Sequence, residues 1–232
     1  MNGTGEKRRS GIKGDRMLEK MDEFFEARLD GYEEHQLACI ESAREFYPFT
    51  AGCLPLAPGA SVLDLGCGTG LELGYYFELA PEALVTGVDL SAGMLAELRR
   101  KFPDKPMTLI RGSYFNVPFG EEAFDAAVSV ESLHHFTKEE KVPLYKKLRK
   151  ALKIGGYFIL TDYFALSEAE EISLRAELVR LKREQGLTDD ELYHFDTPLT
   201  VGHETEALLE AGFASVEVLK NWGATYTLKA IK

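Results

Sequence analysis

Cysteine and positive charge are both scarce in this 232-residue sequence, and long apolar runs are missing. The three cysteines, Cys39, Cys53 and Cys67, are too few and too irregularly spaced for a disulfide framework or a paired zinc motif. No apolar run approaches the roughly 20 residues that a membrane span requires, and the first residues lack the apolar centre of a signal peptide. The chain is therefore expected to be a reduced, cytoplasmic protein that does not enter the membrane.

The charge balance is strongly acidic. Lys and Arg together number 27 against 38 Asp and Glu, which leaves a net charge of −11. Such a surface repels polyphosphates on average, so nucleic acid is an unlikely partner. A hydrophobic fraction of 45% is ample for a packed core. Composition leaves the oligomeric state open between monomer and homodimer.

The order of periodic segments indicates an α/β fold. Residues 61–162 alternate short apolar strands with helical segments, which predicts a Rossmann-like, doubly wound, mostly parallel sheet covered on both faces. Residues 214–220 and 225–231 read as two strands joined by a tight antiparallel turn at 221–223. The whole pattern predicts seven strands with an antiparallel C-terminal strand. The predicted strands are 61–65, 84–89, 107–111, 124–130, 157–162, 214–220 and 225–231.

The flanks of this core have a different character. Residues 1–16 are polar and basic and are expected to form a disordered tail. Residues 17–47 have helical periodicity that Gly31 divides into two helices, with Pro48 ending the second. We expect residues 17–50 to form a helical cap on a core of residues 51–232. Residues 163–200, which include the helix 168–185, are expected to form a lid insertion.

The strongest local signal is the segment Asp64–Gly70, where a buried strand runs into a turn of three glycines and then a helix. Glycine lets the backbone bend tightly and approach a ligand, and the helix N-terminus offers free N–H groups. By itself this segment could also be a tight turn with no ligand. The next strand, however, ends in Asp89, which a doubly wound sheet brings beside the glycines. A carboxylate there can accept both hydroxyls of a ribose.

The spacing of the glycines argues against a dinucleotide. A G-x-G-x-x-G pattern counted from Gly66 requires glycine at position 71, where this chain has Leu71, so a nicotinamide dehydrogenase is disfavoured. Asp64 at the strand tip would repel a pyrophosphate. It suits instead a ligand that carries an ammonium group and a sulfonium.

These motifs resemble those of the class I S-adenosylmethionine-dependent methyltransferases. Asp64–Gly70 matches the family's first motif, and Asp89 matches its ribose-binding acid. The resemblance extends over residues 58–165 through Arg111–Tyr114 beside the adenine, the fourth-strand segment Phe124–Phe136, and Leu148–Leu160. It implies S-adenosylmethionine as cofactor and S-adenosylhomocysteine as product. One position departs from the family, because Ser113 stands where an acid usually contacts the adenine and a hydroxyl is a weaker acceptor.

Several residues are candidates for the site. The two histidines that follow the fourth strand, His134 and His135, lie on the side where the methyl group should point and could act as a base. Alternatively, one packs inward and the other caps the next helix. Tyr32, presented by the break at Gly31, is the preferred lid residue. The residues expected to bind the cofactor are Tyr32, Asp64, Gly66, Cys67, Gly68, Gly70, Asp89, Leu90, Met94, Ser113, Tyr114 and Val130.

No metal site is expected, because adjacent histidines make a poor metal pair and no carboxylate spacing supports them. Since a sulfonium methyl group is already activated, positioning can supply most of the acceleration. The preferred reading is therefore methyl transfer to a small-molecule acceptor by in-line displacement. Two alternatives stay open: a methyltransferase or modified-adenosylmethionine synthase that serves tRNA modification, and a noncatalytic cofactor-binding regulatory protein.

Overall fold

A computed structural model describes residues 17–232 of the protein, so the tail expected over residues 1–16 lies outside the described residues. One seven-stranded sheet, with the order β3-β2-β1-β4-β5-β7-β6, runs through the described part of the chain. Its strands are β1 (Ser61–Leu65), β2 (Leu84–Asp89), β3 (Met107–Arg111), β4 (Phe124–Val130), β5 (Leu152–Tyr163), β6 (Ser215–Trp222) and β7 (Thr225–Ile231). The helices are α1 (Met21–Ala27), α2 (Tyr32–Cys39), α3 (Ala43–Gly52), α4 (Leu71–Leu79), α5 (Ala92–Lys101), α6 (Lys138–Ala151), α7 (Glu168–Gln185) and α8 (Val201–Glu210).

The pairing of the strands confirms the predicted fold class. Strands β1 to β5 pair in parallel, and β7 runs antiparallel to both β5 and β6. The predicted turn between the last two strands is present, although β6 continues through Trp222 and Gly223 adopts a φ of 59°. None of the helices in residues 17–232 has the length and apolar character needed to cross a lipid bilayer.

Helices cover both faces of the sheet because side chains alternate along each strand. Within β1, Val62 points into one buried cluster while Leu63 and Leu65 point into the other. Helices α3 and α4 supply the first cluster, and α6 and α8 supply the second. This double-sided packing leaves the carboxyl ends of β1, β2, β4 and β5 at one edge of the sheet, where the loops that follow them can meet.

The N-terminal helices differ from the prediction in two respects. The break at Gly31 is confirmed, since Gly31 has a φ of 77° and is the N-cap residue immediately before α2. A second break at Ser42, in a left-handed conformation with a φ of 61°, makes three helices rather than two. The prediction that Pro48 ends a helix is wrong, because α3 continues to Gly52. The lost hydrogen bond is offset by burial of the apolar face around Pro48, where Phe46 and Ala51 are fully buried.

Strand β5 begins at Leu152, five residues earlier than the predicted start at Tyr157. Leu152 pairs with Phe124, and the register shifts before Ala126 pairs with Tyr157. Two glycines permit this irregularity: Gly155 has a φ of 76°, and a Cβ on Gly156 would lie 2.9 Å from a backbone oxygen. Gly155 and Gly156 therefore interrupt the register of a strand that has already begun at Leu152.

The N-terminal segment is tied to the loop that follows α7. The Met21 amide donates to the Leu192 carbonyl at 2.9 Å, and the His194 amide donates to the Glu19 carbonyl at 3.0 Å. The ring of Phe24 stacks on His194 with centroids 3.5 Å apart. The division into cap, core and lid insertion remains a prediction. Helix α3 packs on the sheet through Phe46 and the other buried residues of its apolar face.

Candidate functional site

The turn after β1 and the end of β2 are joined by hydrogen bonds. The Asp89 carboxylate accepts from the Gly68 amide at 2.9 Å and from the Ser91 amide at 2.8 Å. Burial raises the pKa of Asp89, although these amide hydrogen bonds oppose that effect. The strand order thus brings together the two features that the sequence places about 20 residues apart.

Two glycines of the turn are required for different reasons. A Cβ on Gly66, which has a φ of 75°, would lie 2.1 Å from the Ser132 hydroxyl, so only glycine lets β1 and the end of β4 approach this closely. Gly68 also has a left-handed backbone, with a φ of 48°, but a Cβ there would meet nothing within 4 Å. The open space beside Gly68 is where a ligand can approach the backbone.

A buried acidic pair lies directly beneath this turn. Asp64 is fully buried, and neither of its carboxylate oxygens has a hydrogen-bond partner among the described residues. Burial and the neighbouring Glu72 raise the pKa of Asp64 well above its ordinary value. A hydrogen bond between the two acids needs a proton on one of them, and the raised pKa of Asp64 favours Asp64 as the donor and Glu72 as the acceptor. A buried carboxylate without a partner is costly, and the arrangement suits a ligand that brings positive charge.

A narrow cavity, here called the glycine-loop cavity, opens above Gly66 and Gly68 and has a volume of about 60 Å³. No lysine or arginine is among the described residues that line it. The cavity is narrow because side chains of α1 and α2 lie in it, including Phe25 and Tyr32. Burial raises the pKa of Tyr32, and the negative charge of Asp89 raises it further because the Tyr32 hydroxyl lies among acidic groups. The lining residues are Met21, Phe25, Tyr32, Gly66, Gly68, Asp89, Leu90, Met94, Tyr114, Val130, Glu131, Ser132 and His135.

Eight of the residues expected to bind the cofactor line this cavity, and four do not. Asp64 lies below the turn. Cys67 is buried, and its thiol packs against Gly87 of β2, where an added Cβ would lie 2.7 Å from the sulfur. Gly70 is the N-cap residue of α4 and lies against the Leu98 side chain. Ser113 uses its hydroxyl to accept a hydrogen bond from its own loop, at the Phe115 amide.

A second, larger cavity adjoins the first. This outer cavity has a volume of about 710 Å³ and shares Phe25, Tyr32, Glu131 and His135 with the glycine-loop cavity. Its remaining walls come from α1, α2, the end of β5 at Tyr163, and residues that follow β4 and α7, including His194. The two cavities adjoin, and their lining combines the acids Asp30, Asp89, Glu131 and Asp196 with aromatic side chains.

His134 faces the outer cavity and is held from behind by Asp162 at the end of β5. Its Nδ1 lies 2.5 Å from Asp162 Oδ1. Asp162 is fixed in turn by the amides of Leu133 and Tyr163, each of which donates to it at 2.9 Å. Burial alone would lower the pKa of His134, but attraction to Asp162 and Asp196 outweighs it and raises that pKa well above its ordinary value.

His135 lies beside His134 and behaves differently. Burial, together with the charge of His134, lowers the pKa of His135 to about 3, so its imidazole is neutral at physiological pH. Its Nδ1 lies 3.2 Å from the Phe195 carbonyl and 3.4 Å from Asp196 Oδ1. The two histidines predicted from the sequence are therefore adjacent on one cavity wall, in two different electrostatic states.

The sequence analysis did not identify three acidic residues of this site: Glu131 and Asp196, which line the outer cavity, and the buried Asp162 behind His134. Asp162 ends β5 beside β4, so the rule that carboxyl ends of parallel strands meet could have found it. Glu131 follows β4 with an unusual φ of 49°, which sequence does not signal. Asp196 lies in the loop between α7 and α8, 62 residues after His134, where no periodicity points to it.

A family model described as a methyltransferase domain matches residues 62–156. A sterol 24-C-methyltransferase from Gibberella zeae is 28% identical over 171 residues, which cover 71% of this chain and 42% of that protein. A tRNA (carboxymethyluridine(34)-5-O)-methyltransferase from Arabidopsis thaliana is 33% identical over 130 residues, 55% of this chain and 30% of that protein. The matched segments thus span less than half the length of both relatives.

Solved structures agree with the fold. The human N-acetylserotonin methyltransferase, solved in complex with S-adenosylmethionine, superposes with a TM-score of 0.63 at 18% identity, over 88% of this chain and 55% of that one. The orphaned Asp64 carboxylate, the open space at Gly68 and the lack of lysine or arginine around the cavity fit a cofactor with an ammonium and a sulfonium. With the glycine turn and Asp89, these matches identify residues 62–156 as a methyltransferase domain of the class I S-adenosylmethionine-dependent type.

Proposed function

We propose that this chain transfers the methyl group of S-adenosylmethionine to a small-molecule acceptor by in-line displacement. The observation that carries the proposal is the junction of two cavities: an acidic one above the glycine turn and a wider one with two histidines on its wall. A sterol substrate in one relative supports a small-molecule acceptor. The net charge of −11 opposes direct binding of tRNA.

Residues of the glycine-loop cavity would hold the cofactor. S-adenosylmethionine supplies a methyl group on a sulfonium that is already activated toward a nucleophile. Asp89 would accept hydrogen bonds from the ribose hydroxyls, and Asp64 beneath the turn would favour the cationic amino-acid end. The candidate residues are Tyr32, Asp64, Gly66, Cys67, Gly68, Gly70, Asp89, Leu90, Met94, Ser113, Tyr114 and Val130, to which the cavity lining adds Met21, Phe25, Glu131 and Ser132.

The outer cavity would hold the acceptor. Phe25 and Tyr32 line both cavities. With the ligands bound they would keep water from the junction, which would strengthen electrostatic interactions there. His134 and His135 are the proposed catalytic residues, because their rings lie on the acceptor side and can contact its nucleophilic atom. Asp162 keeps His134 in one orientation. Holding the acceptor aligned with the methyl group is the main contribution of the chain.

Calorimetry with S-adenosylmethionine, S-adenosylhomocysteine and NAD tests the cofactor assignment. We expect binding of the first two and none of NAD.

Asp89→Ala removes two charge-assisted hydrogen bonds of about 1.5–3 kcal/mol each before compensation. Since about 1.4 kcal/mol is a factor of ten, the affinity for S-adenosylhomocysteine should fall roughly tenfold or more. Asp104→Ala, at an exposed turn, is the matched control. Unchanged affinity in Asp89→Ala contradicts the ribose assignment.

A labelled-methyl transfer assay tests the acceptor class. The protein is incubated with labelled S-adenosylmethionine and either a panel of small hydroxy, amino and thiol compounds or bulk tRNA. Label in the small-molecule fraction supports the proposal, and label in tRNA assigns the acceptor to nucleic acid. Tight cofactor binding with no transfer to any acceptor would favour a noncatalytic regulatory protein.

A further inference from the structure

His135 keeps one imidazole nitrogen unprotonated where the two cavities meet. Its side chain is only 3% exposed, and it lines both the glycine-loop cavity and the outer cavity. Its Nδ1 faces the Phe195 carbonyl at 3.2 Å and the Asp196 carboxylate at 3.4 Å. Both groups can only accept, so Nδ1 carries the proton of the neutral ring and Nε2 keeps a lone pair. No described residue forms a hydrogen bond with that Nε2.

The groups that pack around His135 keep its ring neutral. The centre of the His134 ring lies 4.0 Å away, and Asp162 and Asp196 hold that ring in its charged form. Burial and this neighbouring cation oppose a second proton on His135, and His194, with its ring centre 5.0 Å away, opposes it as well. Asp196 favours the proton, but its effect is smaller. His135 can therefore accept a hydrogen bond without taking up a proton.

The walls of the outer cavity carry more negative than positive charge. Two cations line it, Arg28 and His134, and both are paired with acids that lie outside the lining. Arg28 donates two hydrogen bonds to Glu19, at 2.9 and 3.1 Å, and Asp162 lies against His134. A cavity with this balance, and with aromatic side chains in its walls, favours a ligand that arrives as a cation. The acids of the lining are Asp30, Glu131 and Asp196.

We propose that the acceptor is an amine and that Nε2 of His135 accepts a hydrogen bond from the amino group that is methylated. This inference rests on the proposed methyl transfer. An amine arrives as an ammonium ion, which suits the acidic walls, and it attacks after losing one proton to solvent. The hydrogen bond to His135 then aligns the amine nitrogen with the methyl carbon. A hydroxyl group is a weak nucleophile until it loses its proton, and a ring that stays neutral does not remove that proton.

The transfer step is complete without a proton on His135. The amine nitrogen forms a bond to the methyl carbon while the carbon–sulfur bond breaks, and the sulfur keeps that electron pair. Positive charge thereby moves from sulfur to nitrogen, so the hydrogen bond from the amine to Nε2 becomes stronger in the transition state. The products are an N-methylated ammonium ion and S-adenosylhomocysteine.

Matched pairs of acceptors test the class. The full chain is incubated with labelled S-adenosylmethionine and with amines, or with the alcohols and phenols that carry a hydroxyl in place of the amino group. We expect label in the amines. Equal or greater label in the hydroxyl partners overturns the amine assignment and leaves the proposed function intact. No transfer to any small molecule contradicts the proposed function, and the amine assignment with it.

Two variants of one residue test the role of Nε2. His135→Phe keeps a ring and removes the nitrogen, whereas His135→Gln returns an acceptor oxygen near the position of Nε2. With an amine acceptor, kcat should fall roughly tenfold to a hundredfold in His135→Phe and less in His135→Gln. His203→Phe is the control, because His203 contacts Glu171 and lines neither cavity. Equal kcat in His135→Phe and the parent overturns the proposal.

Nitrogen-15 NMR of the histidine-labelled chain tests the state of the ring without turnover. The signals of His135 are assigned by their loss in His135→Gln. We expect a protonated Nδ1 and an unprotonated Nε2 from about pH 5 to about pH 8, the interval in which an ordinary histidine titrates. A proton on Nε2, or titration of this ring within the interval, overturns the proposal, and the parent chain shows it even if His135→Phe does not fold.

Discussion

At the scale of single residues, Asp64 is a costly side chain to bury. Its carboxylate is fully buried next to Glu72, and no described residue donates a hydrogen bond to it. An ionised group in this position destabilises the fold. Such a residue is tolerated where a ligand of opposite charge completes the site. We therefore attribute the loss of stability caused by Asp64 to its proposed role in cofactor binding.

The substitution Asp64→Asn separates these two effects. The amide keeps the shape of the side chain and removes the charge, so we expect a higher melting temperature for the ligand-free protein and at least tenfold weaker binding of S-adenosylhomocysteine. Thermal melts and calorimetry measure the two quantities. Asp125→Asn is a control, because Asp125 is a more exposed carboxylate paired with Lys153 and should lose stability instead. A lower melting temperature in Asp64→Asn than in the parent would contradict a destabilising effect of the buried Asp64 carboxylate.

The stability difference should also depend on pH. The pKa of Asp64 is raised in the folded state above its ordinary value of 3.8, so the folded protein holds a proton that the unfolded chain has released. Stability from this group is present below that ordinary value and is lost as the pH rises through the raised one. The advantage of Asp64→Asn over the parent should therefore grow with pH across this interval in a series of thermal melts.

At the scale of structural elements, α1 and α2 are fastened over the glycine turn by specific contacts. Glu26 accepts hydrogen bonds from the Ser91 hydroxyl at 2.6 Å and the Gly93 amide at 3.1 Å, at the start of α5. Glu33 forms an ion pair with Lys101 at the other end of the same helix. A cavity of about 60 Å³ is far below the roughly 300–1,000 Å³ of ligand pockets. We therefore expect these helices to move when the cofactor enters and to close over it afterwards.

Tyr32→Ala tests this role of the cap. Tyr32 borders both cavities, and loss of its ring opens a path between them, so we expect faster dissociation and severalfold weaker binding of S-adenosylhomocysteine with little change in melting temperature. Stopped-flow displacement measures the dissociation rate. Tyr75→Ala is the control, since Tyr75 is also half-buried but lies on α4 away from these cavities. Equal dissociation rates in the two variants would mean that Tyr32 only packs.

The loop that follows β3 depends on a single ammonium group of α6. Lys147 Nζ donates to the carbonyls of Tyr114, Phe115 and Val117 at 2.5, 2.8 and 2.9 Å. It also lies 4.1 Å from the centre of the Phe119 ring. Tyr114 lines the glycine-loop cavity, so Lys147 holds in place a segment whose resemblance assigns it to the adenine.

Lys147→Met should loosen this loop and weaken S-adenosylhomocysteine binding severalfold, because three carbonyls lose one shared donor. Calorimetry measures the affinity, and amide hydrogen exchange over residues 113–119 reports the loosening. Lys146→Met is the matched control, since the neighbouring Lys146 is exposed. Unchanged exchange in Lys147→Met would show that the loop is rigid by itself.

At the scale of the whole molecule, the cap and core should melt as one unit when the cofactor is bound. A ligand present at 100 times its dissociation constant stabilises the folded state by about 2.7 kcal/mol. At roughly 2–4 °C per kcal/mol for a chain of this size, S-adenosylhomocysteine should raise the melting temperature by roughly 5–10 °C in a single transition. Asp89→Ala should reduce this shift at the same ligand concentration. Two separate transitions would indicate a cap that unfolds independently.

The sequence by itself determined the sheet and the position of the cofactor turn. Alternation of apolar strands and helices requires a parallel, doubly wound sheet, and the strand order then brings Gly68 beside Asp89 without any further information. Such features are local, because a strand tip, a glycine turn and a helix start lie within a few residues of one another.

Only the tertiary structure decided which acidic residues lie beside the histidines of the outer cavity. Asp196 meets His134 through a loop that has no periodicity, and Asp162 meets it across two neighbouring strands. Pro48 likewise stays inside a helix because burial against the sheet outweighs a local preference. The physical reason is the same in each case: these contacts join residues far apart in the chain, and their free energy depends on packing that no short segment encodes.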